Sequence, residues 1–409
     1  MAAGRAAQIK TIIALCSASL LLTVGGAASY VYLHLNGNIE TAGDLNTLTD
    51  RPKAGPPVNI LLLGSQTRDG QTGQFGGSDA TGSFGGATGT DLSDTSMLLH
   101  VSGDRKYALV VSIPRDTIVN RPPCPTRDGT GTIPGQAGAM FDASMSLGGP
   151  LCTAATVEQF FGVRVDHFVR LDFNGFRKIV TYLGGVEVCI PPGGIDDPYS
   201  HLNLPAGRHV VTGDEALAFV RDRHGIGDGS DLGRIEMQKM FLTSLITKIE
   251  DSGTLADAGR LYQLADITTS SITTDQALGS VSALLDLAGQ VQGLKPHDIN
   301  FITLPTVQDP NDPNRVDPAP SAQTVWGLIN ADQSLPTGPG TATASPATPS
   351  PTASPAPNTV AQPSGSPSSA PSLAPSVTPS PAPPTDLKDR PADTDICSDL
   401  PQPNNAAAG

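Results

Sequence analysis

The stretch "VNILLLG", Val58 to Gly64, decides how this chain is read. Val58 to Leu63 is a short, mostly apolar run that stops at a glycine, as a strand buried in a sheet does. Thr95 to Val101 and Tyr107 to Ile113 ("YALVVSI") read the same way, and Gly185 to Ile190 and Asp298 to Leu304 add two more strands. Between them the pattern becomes helical. Cys152 to Phe161 and Asp172 to Leu183 read as helices, the second stopped by Gly184-Gly185. Thr212-Gly213-Asp214-Glu215 matches a capping box that opens a helix running to about Arg221. Asp231 can cap a long helix to about Ile249, and Thr274 to Val291 is a further helix. This alternation predicts an α/β fold, a mixed central β-sheet with helices on both faces.

Around that core the composition changes sharply. The chain has 409 residues and a formal charge of -14. Such an acidic balance excludes nucleic acid as a partner, which needs a basic footprint. Any anion site must be local, built from a few placed cations. The N-terminal run from Thr11 to Leu35 has no Asp, Glu, Lys or Arg, and Arg5 and Lys10 precede it. Its length suits a bilayer span, and the basic flank holds the N-terminus inside. A cleaved signal peptide is the alternative. The expected organisation is a cytoplasmic tail (1–10), a transmembrane signal-anchor (11–35), a polar stalk (36–57), an outside globular domain (58–334) and a disordered Pro/Ser/Thr/Ala-rich tail (335–409). The tail segment cannot bury enough apolar surface to offset its ordering entropy.

Cys124, Cys152, Cys189 and Cys397 would face an oxidising compartment. Cys124 and Cys152, close in sequence, are the favoured disulfide, although four cysteines allow three pairings. No Cys/His spacing points to zinc.

In α/β sheets, ligands bind beyond the carboxyl ends of strands. Four groups sit beside such ends: Arg68 and Asp69 after the first strand; Asp91 and Asp94 in "DLSDT"; Arg115 and Asp116 in "SIPRDT"; and "FVRDRHGIGDGSDLGRIEMQ", Phe219 to Gln238, which holds Arg221, Arg223 and Arg234. Arg234 and Gln238 share a helix face, and Arg234 falls in the first turn, where the dipole favours an anion. Converging guanidinium forks suit a diphosphate. The bland alternative pairs them with Asp116, Asp222, Asp228 and Asp231 in surface salt bridges. Gly70 to Thr90 is Gly-rich but lacks the pattern of a nucleotide-binding loop.

The motifs "NILLLGSQTRDG", "SDTSMLL", "SIPRDT", "GGVEV", "GDEALAFVRDRH" and "DLGRIEMQ" together resemble the LytR-CpsA-Psr family, over roughly Val58 to Ile249. The resemblance implies a wall-polymer ligase that moves a glycopolymer from a polyprenyl diphosphate carrier to peptidoglycan or a similar wall acceptor, forming a phosphodiester. It implies a membrane-anchored enzyme with its catalytic domain outside the cell, of the actinobacterial type. Carried over residue by residue, Arg115, Arg221, Arg223, Arg234 and Gln238 match diphosphate-binding positions, with Arg68 beside them. Asp94 matches an aspartate that binds Mg²⁺, with Gln66 and Asp91 as further candidate ligands, and Asp94, Arg115 and Asp116 are the candidate catalytic residues. The resemblance also implies an apolar tunnel for the lipid, with candidate lining in Phe173–Leu183 and Met240–Ile249. Three positions depart from the family pattern: Gln66 replaces a common Asp, Leu92 a common Arg and Met237 the Arg of "RxxRQ". Two rival readings share these residues, a polyprenyl-diphosphate phosphatase and a catalytically weak binding or scaffold protein. A transcriptional regulator is opposed by the outward topology and the acidic charge.

Overall fold

A computed structural model describes residues 2–65, 93–198, 200–222, 231–254, 257–335, 389–391, 395 and 397. In chain order the elements used below are α1 (Ala2–Asn38), β1 (Glu40–Thr41), β2 (Val58–Ser65), β3 (Ser93–Val101), β4 (Ala108–Ile113), α2 (Asp142–Phe161), β5 (His167–Asp172), α3 (Phe173–Tyr182), β6 (Val186–Ile190), β7 (Gly207–Val211), α4 (Gly213–Arg221), α5 (Asp231–Asp251), α6 (Ala258–Thr269), β8 (Ile272–Thr274), α7 (Val281–Val291), β9 (Ile299–Thr303), α8 (Ala322–Asn330) and β10 (Asp389–Pro391). One mixed sheet of eight strands, in the order β1-β8-β5-β2-β3-β4-β9-β10, forms the centre. β2 is parallel to β5 and β4 to β9, while β3 runs antiparallel to both of its neighbours. The carboxyl ends of β2, β4, β5 and β9 therefore meet at one edge.

Strand alternation splits the sheet into two faces. Leu61, Leu98, Val111 and Ile302 are paired across the strands and fully buried on one face. On that side lie α2 and α8, where Trp326 packs on Phe161 with ring centroids 4.4 Å apart. The opposite face presents Leu62, Met97, Val110 and Phe301 to Leu242 and Ile246 of α5. The other side of α5 buries Met237, Met240 and Phe241 against α3, α4 and the β6–β7 hairpin. Each such side chain contributes roughly 1.5–3 kcal/mol when fully buried, so α5 is held from two directions. The expected arrangement, a mixed sheet covered on both faces, is the observed one.

Several local expectations change. Thr212 is the N-cap of α4, but its side chain makes no capping hydrogen bond. Thr274 ends β8 instead of starting a helix: Asp275 caps a short 3-10 turn, and α7 begins only after its own cap, Ser280. Helix α2 starts at Asp142, ten residues before the expected Cys152, and is kinked at Gly149-Pro150. As expected, α3 stops where Gly184 and Gly185 adopt positive φ. The predicted stalk is not free chain. Glu40–Thr41 pairs with β8, Leu45 is buried, and Arg51 forms an ion pair with buried Glu158.

The end of the predicted tail also returns to the domain. β10 pairs antiparallel with β9, and Cys397 is disulfide-bonded to Cys189 of β6. A polar segment this short has no core of its own, so it is held by strand pairing and a covalent bond. The favoured pair Cys124–Cys152 is the second disulfide.

Candidate functional site

Sheet register gathers the predicted groups along one edge. Ser65 lies opposite both Asp172 and Ser93, Ser96 opposite Ile113, and Ser112 opposite Thr303. A bulge at Gly64/Ser65 sets Asp94 at this edge, since its neighbours Ser93 and Thr95 pair with Ser65 and Gly64. Gln66, Arg68, Asp91 and Arg223 lie outside the described residues, as does the side chain of Asp94.

Arg115 and Asp116 follow β4 directly. Pro114 has no N–H to continue the ladder, and the chain turns at once, with Thr117 N–H and Oγ1 both donating to Pro114 O. The Asp142 N–H donates to Arg115 O, tying the turn to the start of α2. Arg115 Nε and Asp116 Oδ1 are 3.5 Å apart, and their side chains are 25% and 21% exposed. Two opposite charges thus stand together at the sheet edge, both partly exposed.

Arg221 reaches the same edge from the last turn of α4. Its guanidinium lies 5.0 Å from the centroid of Phe173, the residue that follows β5. Such stacking orients the planar fork toward the strand ends. Asp172 is spent locally as the α3 cap, accepting from Gly175 N–H at 2.7 Å. Arg234, only 2% exposed, sits in the first turn of α5. One turn later Gln238 Nε2 donates to Val220 O at 3.0 Å, which locks α5 to the end of α4. Gln238 Oε1 is buried and has no partner among the described residues. The i, i+4 reading of Arg234 and Gln238 therefore holds as geometry.

Sequence reasoning missed one cluster. Lys239 is 1% exposed, and its Nζ donates to Glu236 Oε1 at 2.8 Å and to Thr303 Oγ1 at 3.4 Å. Thr303 Oγ1 in turn donates to Glu236 Oε1 at 3.1 Å. Thr303 ends β9 beside Ser112, so this triad stands at the same edge, next to the Pro114 turn. A Glu–Lys pair three residues apart on a helix normally reads as a solvated bridge. The available signal was the setting of Lys239 between Gln238 and the apolar run Met240-Phe241-Leu242.

Beneath this edge, Leu62, Leu99, Ile299, Leu242 and Ile246 form an apolar layer between sheet and α5, and all five keep part of their surface unburied. Among the described residues no three His, Cys, Asp or Glu side chains come together as a metal site. The α1 helix contains Ser17–Asn38, 22 residues long and apolar enough by length and composition to cross a membrane.

These features define the class, an α/β domain with a mixed central sheet whose parallel strands end at one edge. The chain belongs to the LytR_cpsA_psr family, whose model matches residues 31–325. It is 32% identical over 318 residues to the "Cell wall biosynthesis protein LcpA" of Corynebacterium glutamicum, a match that covers 72% of this chain and 59% of the relative. It is 26% identical over 280 residues to the "Polyisoprenyl-teichoic acid--peptidoglycan teichoic acid transferase TagU" of Oceanobacillus iheyensis, covering 65% and 77%. The chain thus spans about three-fifths of the corynebacterial relative's length. Among solved structures, protein gbs0355 from Streptococcus agalactiae shares the fold, with a TM-score of 0.51, 18% identity, and coverage of 69% of this chain and 90% of that one.

Proposed function

We propose that the protein is a membrane-anchored phosphotransferase of envelope assembly. It moves a glycopolymer from a polyprenyl diphosphate carrier to peptidoglycan or a similar wall acceptor and forms a phosphodiester. The observation that supports this most is the meeting of Arg115, Arg221, Arg234 and Gln238 at one sheet edge above a partly open apolar layer. An anion bonded to a long apolar chain has both of its halves matched there. Family membership and the printed names of the relatives point the same way.

In this reading the arginines hold the diphosphate and offset the charge that grows on the departing lipid phosphate. The acceptor hydroxyl attacks the phosphorus that carries the polymer's first sugar. A new O–P bond forms, and the bond from that phosphorus to the bridging oxygen breaks. Its electron pair leaves with polyprenyl monophosphate. The hydroxyl proton passes to a carboxylate, with Asp116 at the turn and Asp94 as candidates. Asp94, with Gln66 and Asp91, would hold Mg²⁺, which supplies further charge neutralisation when bound. α1 would anchor the chain with its N-terminus inside and the domain outside.

The test uses the full chain in lipid nanodiscs with a polyprenyl-diphosphate saccharide and a peptidoglycan fragment, followed by mass. A sugar-phosphate-glycan adduct is expected, and an EDTA arm reads the metal requirement. Phosphate release without adduct, or bound and unchanged lipid, overturns the ligase reading in favour of a phosphatase or a scaffold.

A further inference from the structure

Helix α7 is an anomaly as a water-facing element. Of its 11 residues, "VSALLDLAGQV", only Asp286 is charged. Yet none of the 11 is buried, and Leu285 is 66% exposed. A helix this apolar normally covers one face with protein. This one is well formed, with Ser280 as its cap, and leaves Leu285 uncovered while Leu284 and Leu287 are half-buried.

Its surroundings say what covers it. The last turn of α1 is held between α6 and α7. On one side His34 Nε2 and Asn38 Nδ2 contact Asp266 Oδ1 of α6 at 2.8 and 2.9 Å. On the other, Val281 N–H donates to Asn36 Oδ1 at 3.1 Å, so α7 starts against the end of the apolar helix. Its far end is tied to the β3–β4 turn, where Arg105 Nη2 donates to Gln290 Oε1 at 2.6 Å. Tyr30 and Tyr32, both exposed, lie one to two turns below the junction, where amphipathic rings favour a membrane interface. Leu261 of α6 is also exposed. In this strongly acidic chain, α7 is flanked by basic residues: Arg105, Lys106 (80% exposed, paired with Asp104) and Lys295.

We propose that α7, with the adjoining exposed face of α6, lies on the lipid surface as an interfacial helix and fixes the domain's orientation over the bilayer. This rests on reading α1 as the membrane span. Leu285 would sink about 5–10 Å into the headgroup and acyl boundary, with half-buried Leu284 and Leu287 behind it and the flanking basic residues at the level of anionic headgroups. The catalytic edge is then presented at a set height, because α7 is tied to the β3–β4 turn at the opposite end of the strands.

The experiment places an indole at position 285 in the full chain (Leu285→Trp), with a Leu21→Trp variant as reference. Both are reconstituted in nanodiscs of mixed zwitterionic and anionic lipid, with and without bromine near the head of the acyl chain. Trp326 is buried in the core and supplies a constant background. Position 285 is exposed, so the substitution leaves packing intact. Quenching of the Leu285→Trp signal by brominated lipid is the expected result. If only Leu21→Trp is quenched, α1 is in the bilayer and the interfacial helix is overturned. If neither is quenched, the membrane reading of α1 fails, and this proposal fails with it.

Discussion

Lys239 Nζ, almost wholly buried, donates to Glu236 Oε1 at 2.8 Å, and the carboxylate it holds is 33% exposed at the ligand edge. The ammonium therefore faces inward and the carboxylate outward. Lys239→Met removes the buried charge and with it the charged donor to Glu236. The expected cost is about 2 kcal/mol, because Glu236 is partly solvated and keeps Thr303. Denaturant unfolding measures it. An unchanged midpoint would show that the pair adds nothing.

Arg221 and Phe173 give a separable prediction. Arg221→Ala should lower transfer by about 10²–10³-fold, the usual cost of losing a charged donor at a reacting centre. Loss of the cation–π contact with Phe173 alone should cost about 0.5–1 kcal/mol of stability. Arg221→Lys keeps the charge and loses the planar fork, so it should stay well below the native rate. Full activity in the lysine variant would remove the bidentate role.

The Cys189–Cys397 bond closes a loop across a separation of 208 residues and holds β10 on the outer edge of β9. Cys397→Ser should destabilise the domain by roughly 2–4 kcal/mol. It should also release the terminal stretch to protease, since a three-residue edge strand does not hold alone. Limited proteolysis of the two proteins, followed by mass, reads this directly. Equal resistance would mean that strand pairing suffices.

His100 makes stability fall with acid. Burial pushes its imidazole below the ordinary value of 6.5, although the Asp332 carboxylate 3.3 Å away opposes the shift. The unfolded chain then binds the proton more readily than the folded one. The contribution is complete above pH 6.5 and is lost as the pH falls through the folded value. His100→Gln, which can still meet Asn59 Oδ1, should flatten the acid side of the curve. Thermal unfolding followed through Trp326 across that range is the measurement.

Much of this was legible without coordinates. The strands around Leu61, Leu98 and Val111 declare themselves by local apolar content. The Pro114 turn and the Gly184-Gly185 stop follow from backbone chemistry that needs no neighbours. The strand-end rule for α/β sheets placed the candidate groups at one edge, and Arg115, Arg221, Arg234 and Gln238 lie along it. Helix α6 was missed although Asp257 caps it, accepting from Arg260 N–H at 2.8 Å, and α8 was missed because it carries no such start signal. Ser321, before α8, makes no side-chain cap, and its apolar face has meaning only against Phe161.

By itself, then, the sequence determined the element types, the α/β alternation and the apolar N-terminal helix. All of these rest on interactions within a few residues. Only the tertiary structure decided that Glu40–Thr41 and Asp389–Pro391 extend opposite edges of one sheet, that Cys189 finds Cys397, and that Lys239 is buried against Glu236 and Thr303. Each of those depends on a contact between residues far apart in the chain, for Lys239 the one with Thr303. Burial and pairing over such distances depend on how whole layers pack, and no local pattern records that.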